Sequence, residues 1–261
     1  MKIVVLLRMV PDVVEELEIS PDANSLDRDS LRMILSESDD HALEEALILK
    51  ERHGGEVTAV GLSALDIEDV LFTALAKGAD RAIKIDAADE DLTTREAAFV
   101  FARAIETQPD LSGCELIVTG VQAIDDLDSL LAPMIADQLR LPFVGIVTAI
   151  RCEGPGKSVT VVKEFPGGVR GEFEVGLPAV LGIQAAEKPP RYLPVAKLRT
   201  VMKARELENL DAETVPAGEY RLLRVLDMKV PGETRRAEIL EGDAEAASER
   251  LCAILADRGL V

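Results

Sequence analysis

Three carboxylates crowd the point where an apolar run hands over to a helix. Glu115-Leu116-Ile117-Val118-Thr119 has strand character, and GVQAIDD at 120–126 follows it and leads through Asp128 to an expected helix over 129–139. A glycine at the carboxyl end of a strand lets another group approach the backbone closely. A helix N-terminus adds unpaired N–H groups and a positive dipole end, which together seat phosphate. The crevice beyond the strand ends is also where open α/β sheets bind ligands. The spacing therefore points to a nucleotide seat, yet Asp125, Asp126 and Asp128 give it the wrong charge for one.

Other reactive constellations are missing from the sequence. His41 and His53 are the only histidines, one at the start of an expected helix and one before a glycine pair, and both read as surface residues. Ser-His-Asp, HExxH, CxxC and GxxxxGK[ST] patterns are absent, and RMVPD rather than GxGxxG follows the first strand. Cys114, Cys152 and Cys252 are far apart and outside metal-ligand spacing, as expected of reduced thiols in a cytoplasmic protein. No metal site is expected. An apparent nucleotide fold without catalytic apparatus points to binding or electron transfer, not to an enzyme with its own bond chemistry.

A net charge of −19 argues against nucleic acid or an anionic membrane as partner. The charge is uneven. Lys188, Arg191, Lys197, Arg199, Lys203 and Arg205 fall in a stretch with no acid. It reads either as a partner contact or as a solvated linker. No stretch approaches the roughly 20 apolar residues of a membrane span, and MKIVVLLRMVPD reads as a buried strand, not a signal peptide.

The elements that must position the 120–128 loop follow from periodicity. Ile3–Leu7 is continuously apolar, as in a central parallel strand. Residues 15–35 form an excursion with a turn at Ser20–Asn24. A helix after Ser36–Asp39 puts Ala42, Leu43, Ala46 and Leu47 on its inner face, places Glu44, Glu45 and Glu51 largely elsewhere, and stops at Gly54-Gly55. Strands at 57–62, 82–85 and 116–119 alternate with helices at 66–77, 93–107 and 129–139. This alternation predicts an α/β, Rossmann-like, mostly parallel sheet with helices on both faces. Strand-like runs at 143–150, 158–165 and 169–177, the last two joined at Pro166-Gly167-Gly168, predict an antiparallel edge hairpin, and Ala179–Ile183 is a further apolar run. Beyond 187 the rhythm is lost, apart from a possible short strand at Leu222–Leu226 and an amphipathic helix at 243–258. The chain thus divides into a Rossmann-like, nucleotide-binding-type domain over 1–187 and a partner-docking segment with an extended C-terminal arm over 188–261. That arm cannot build a core alone and needs its own domain or another subunit to pack on.

Several segments, taken in order, resemble the electron transfer flavoprotein beta subunit family. They are MKIVVLLRMVPD; SESDDHALEEAL at 36–47, similar to the family's Asn-Pro-x-Asp turn and Ala-Val-Glu-Glu-Ala helix; GVQAIDD; and KEFPGGVRGEFEVGLPAVLG at 163–182 with PPRY and VMKAR. EILEGDAEAASERLCAIL at 238–255 is similar to the family's C-terminal arm, so the resemblance spans nearly the whole chain. It implies a heterodimer with an alpha subunit that holds most of an FAD near the interface. The beta chain would hold AMP or, in electron-bifurcating members, a second FAD. It also implies docking to an acyl-CoA dehydrogenase-type or other flavin dehydrogenase through an anchoring leucine, for which Leu198 is the nearest match, flanked by Lys197 and Arg191.

Transferred residue by residue, the family's nucleotide loop falls on Gly120, Gln122, Ala123, Ile124 and Asp125. Leu6, the turn from Ser36 to Asp39, and Leu62 fall where the family surrounds adenine and ribose. Beyond Asp126 the match fails: where the family supplies small and polar phosphate ligands, this chain has Leu127-Asp128-Ser129-Leu130-Leu131-Ala132. A carboxylate roughly 5 Å from a phosphate charge costs about 3 kcal/mol at an effective dielectric near 20. A helix N-terminus returns only about 0.3–2 kcal/mol. Two readings stay open. Either Ser129 and the N–H groups of 129–132 hold a nucleotide phosphate, or Asp128 or Ser129 caps the helix and the chain is a carrier or flavin-free scaffold subunit with a degenerate site. A third reading, an adenylate-forming enzyme, lacks its serine-glycine-glycine loop after the first strand.

Overall fold

Every residue of Ile3–Leu7 is apolar because both faces of its strand are covered. In the computed structural model, which describes residues 1–22, 24–27, 30–87, 92–126, 128–152, 157–212, 225–230 and 239–260, β1 (Lys2–Leu7) lies in the middle of a nine-stranded sheet. Ile3, Val5 and Leu7 face one core layer, with side chains of α1 (Glu37–His53) and α2 (Ile67–Lys77). Val4 and Leu6 face the other, with those of α3 (Thr94–Thr107) and α4 (Leu131–Leu139). Each such side chain contributes about 1.5–3 kcal/mol by leaving water. This is the expected Rossmann-like arrangement.

Between β1 and α1 the chain makes a two-stranded antiparallel excursion, β2 (Met9–Pro11) with β3 (Met33–Leu35). The other strands are β4 (Glu56–Leu62), β5 (Arg81–Asp86), β6 (Leu116–Gly120), β7 (Phe143–Arg151), β8 (Ser158–Phe165), β9 (Val169–Gly176), β10 (Ala179–Ile183) and β11 (Glu208–Asp211). The sheet order is β11-β5-β4-β1-β6-β10-β7-β8-β9. It is parallel from β11 to β7, and β8 and β9 run antiparallel at the edge. The predicted hairpin turns at Pro166–Gly168, where Gly167 and Gly168 take φ of 79° and 76°. Those left-handed values favour glycine.

Local signals explain most helix ends. Gly54 closes α1 at φ 72°. Thr93 and Glu96 form a reciprocal capping box that starts α3. The expectation for α4 was wrong at its N-terminus. The helix begins at Leu131, not at 129, because Ser129 takes a left-handed φ of 55° and Leu130 becomes the N-cap with no side-chain bond.

Two further corrections concern α1 and the chain after 187. Glu44 and Glu45 are buried, not outward-facing, because residues 186–191 cross over the helix. Glu45 accepts N–H bonds from Ile150 (2.9 Å) and Glu187 (3.0 Å), and Glu44 accepts from the Arg191 backbone (2.9 Å) and its guanidinium (2.8 Å). His41 is half-buried, and its Nδ1 accepts the Ala186 N–H at 3.2 Å. Residues 195–211 are also more regular than their pattern suggests. They form α5 (Val195–Ala204), and β11 adds to the sheet edge beside β5, held by Arg81 bonding Glu208 at 2.9 and 2.5 Å. Of the possible strand at 222–226, residues 222–224 lie outside the described residues, and Val225 and Leu226 belong to no regular element. The final helix, α6 (Ala244–Asp257), starts on Asp243, whose carboxylate accepts the Ala246 N–H. No helix among the described residues is long and apolar enough to cross a membrane.

Candidate functional site

The sheet's strand order reverses at β1. The connection through α1 leads to β4 on one side, and β6 lies on the other. Such a switch point opens a crevice at the carboxyl ends of the strands. Arg8 follows β1 there, Ser36–Asp39 starts α1, Gly120 ends β6, and residues 121–126 and 128–130 lie between β6 and α4. The sequence places these segments far apart, and the sheet brings them together.

Asp39 is the hub. Its fully buried carboxylate accepts the Arg8 N–H at 3.0 Å, Arg8 Nε at 3.4 Å, the Gly120 N–H at 2.6 Å and the Thr119 hydroxyl at 3.2 Å. Arg8 then reaches Asp126, with Nη1 at 2.6 Å from Oδ2. Asp126 also accepts the Thr94 hydroxyl from the first turn of α3 at 3.1 Å and the Ala123 N–H at 3.3 Å. Burial pushes the Asp39 carboxyl up, while Arg8 and the N–H groups of Gly120 and Arg8 pull it back only in part. Burial also works against the Arg8 charge, yet Asp39 and Asp126 hold the guanidinium above its ordinary value. Arg8 Nη2 is buried with no hydrogen-bond partner among the described residues.

Gly120 does permit a close approach, but the approaching group is the chain itself. A Cβ at that position would lie 2.6 Å from Asp39 Oδ1 and 2.7 Å from the Ser38 carbonyl carbon. Ser38 donates its hydroxyl to the Gln122 carbonyl at 2.6 Å, and Gln122 Nε2 reaches the Asp126 carbonyl at 3.4 Å. Ser36 is buried, and its N–H bonds the Arg8 carbonyl at 3.0 Å. Of the other expected site residues, Leu6 is wholly inside the α3/α4 core, Leu62 is half-buried at the end of β4, and Ala123 is buried. Gln122, Ile124 and Asp125 face solvent, and Ser129 is half-buried before α4.

The three expected docking residues separate. Arg191 is engaged within its own chain, with Glu44 and with Glu51 at 2.6 Å. Lys197 is exposed on α5, and Leu198 beside it is half-buried. Sequence reasoning missed Arg8, Thr94 and Pro133. A lone arginine closing an apolar strand in a chain with excess acid was the available signal for the first. Nothing marked Thr94, since its partner lies 32 residues away.

These residues do not fit a nucleotide phosphate. The Gly120, Ala123 and Leu130 N–H groups are taken by Asp39, Asp126 and Asp128, the last at 3.3 Å, and Val121 N–H bonds the Ile183 carbonyl at 2.9 Å. At the start of α4, Pro133 has no N–H to give and Met134 already bonds Leu130, which leaves, among the described residues, the N–H groups of Ser129, Leu131 and Ala132. The Arg8 guanidinium at the crevice is paired with two carboxylates, Asp39 and Asp126.

Comparison with known proteins bears on what this scaffold serves. Residues 24–215 match the family model described as electron transfer flavoprotein domain. The chain is 30% identical to the electron transfer flavoprotein subunit beta of Thermoanaerobacterium thermosaccharolyticum over the full length of both. It is 29% identical to that of Methylophilus methylotrophus over 98% of each. Against the mitochondrial subunit of Arabidopsis thaliana identity is 31% over 78% of each chain. Agreement of this extent, on a sheet of the expected Rossmann-like kind, establishes that the chain belongs to the electron transfer flavoprotein beta subunit family.

Proposed function

We propose that this chain is one half of a heterodimeric electron carrier. It pairs with an alpha subunit, positions the FAD held there, and lets electrons pass from a flavin dehydrogenase, of acyl-CoA dehydrogenase type or another, to a downstream acceptor in the cytoplasm. It does no bond chemistry of its own. Its part is to scaffold the flavin, since cofactor chemistry needs the protein chiefly for binding and orientation.

The observation that carries this reading is the unburied C-terminal arm. α6 has apolar residues on one side but buries none of them, and Leu251 is 48% and Ile239 84% exposed. On the edge hairpin, Phe165, Val169 and Phe173 share one exposed face by register. Apolar surface of this kind marks a protein interface. Residues 188–261 serve as the docking half of the chain in this reading, with Leu198 and Lys197 on α5 toward the dehydrogenase and the arm toward alpha.

Purification from the native host tests it. A one-to-one complex with a second chain, yellow from isoalloxazine absorbance, is expected. A colourless assembly, or a stable monomer, refutes the carrier reading, and a colourless complex of two enzymes with this chain supports the flavin-free scaffold instead.

A further inference from the structure

We propose that the crevice at the switch point is closed by the chain's own side chains and holds no nucleotide, with Asp126 standing at Arg8 where a phosphate oxygen would otherwise stand. The geometry meets each requirement of an anion site and fills it internally. The cation is Arg8, and its Nη1 is bonded to Asp126 at 2.6 Å. The hydroxyl donor is Thr94, and it bonds the same carboxylate at 3.1 Å. The loop N–H donor is Ala123, again to Asp126 at 3.3 Å. Cation, hydroxyl and backbone N–H converging on one group form the usual cradle of a phosphate, and here that group is a side chain of residue 126.

The surrounding positions exclude a second anion. Asp128 occupies the Leu130 N–H, so a carboxylate stands at the entrance to α4. Pro133 removes a donor from that helix end. Ser38 lies against Gly120, filling the space above the strand end. A dianion placed there would meet three aspartates, 125, 126 and 128, and an arginine already paired twice. Nη2 of Arg8 is buried and has no hydrogen-bond partner among the described residues.

The inference rests on the carrier reading only for what else the assembly contains; the adenylate content of this chain is a separate count. The test takes the native complex, releases small molecules with acid, and measures AMP, ADP and flavin per complex by chromatography. A second arm follows the melting temperature of the intact complex with added AMP, ADP or FAD. The expected result is one flavin per complex, no AMP or ADP beyond trace, and no shift with any added nucleotide. Stoichiometric AMP or ADP, a second flavin, or a shift of several degrees with AMP overturns the proposal. No flavin and no adenylate would defeat the carrier reading and leave this one standing.

The stand-in role of Asp126 has its own readout. In Asp126→Asn the Arg8 edge is released, so inorganic phosphate, compared with chloride at equal ionic strength, raises the melting temperature of the variant by a few degrees. The wild type shows no such difference. Equal responses of the two proteins overturn the role assigned to Asp126. Should the variant not fold, the wild-type nucleotide count still decides the closure.

Discussion

Replacing Asp39 by Asn is the severest conservative change the crevice admits. The carboxylate accepts four bonds, two at each oxygen, all from donors. An amide keeps one oxygen and turns an NH2 group toward the other pair of donors. Two charge-assisted bonds are lost, each worth about 1.5–3 kcal/mol, and breaking a buried ion pair from one side typically costs about 3–5 kcal/mol. Two effects reduce this. Arg8 keeps Asp126, and the penalty of burying the Asp39 charge, visible in its raised proton affinity, disappears. The net expectation is about 3 kcal/mol of destabilisation. Urea denaturation of the purified assembly measures it. With a slope of about 3 kcal/mol per molar, the midpoint falls by about 1 M. Asp69→Asn, at an exposed position in the first turn of α2, is the control and stays within about 0.5 kcal/mol. If Asp39→Asn also stays within that margin, the network is not what holds the crevice together.

Three other outcomes are expected. Gly120→Ala drives a methyl group into Ser38 and Asp39, pushing the start of α1 from the sheet at a cost of about 1–3 kcal/mol, read from the same denaturation curves. The Cys114 thiol, pushed up to about 11 by burial, is almost entirely protonated at neutral pH, so native protein treated with iodoacetamide leaves Cys114 unmodified until it unfolds. The Glu187 carboxyl is held below its ordinary value, chiefly by its bond from Arg52. A depressed folded-state value means that its stabilisation is present above the unfolded value of about 4.3 and is lost as the pH falls through the folded one. Arg52→Gln therefore flattens that acid-side loss, and stability curves of equal steepness for the two proteins below that pH would contradict the assignment.

How much of this was legible in the sequence depended on the range of the forces involved. The continuous apolar run of β1 revealed a strand covered on both faces, because that signal is written within a few residues, and the helix over 93–107 followed from the same local periodicity. Ser36–Asp39 and Gly120 were located at the site by the order of segments alone. Their roles were not, since Gly120 reads as room for a ligand until Ser38 is seen against it. Glu44 and Glu45 looked solvated because helix periodicity carries no information about residues 186–191 crossing above them. β11 was missed because a short, polar edge strand shows no alternation, and its pairing with β5 spans more than a hundred residues.

The closed crevice also explains how an acidic chain with a redundant nucleotide loop stays ordered there. A loop built around a bound ligand gains stability in proportion to the logarithm of ligand concentration over its dissociation constant, about 2.7 kcal/mol at a hundredfold excess. That contribution vanishes when the ligand is diluted. The Arg8–Asp126–Thr94 bonds are intramolecular and are present at any concentration. They tie the ends of β1 and β6 and the start of α3 to one another, at the point where the sheet would otherwise depend on a cofactor for its geometry. For the role proposed above, holding a neighbour's flavin in place, a rigid switch point serves better than an exchangeable one. The aspartates that make phosphate unwelcome are therefore the same ones that make it unnecessary.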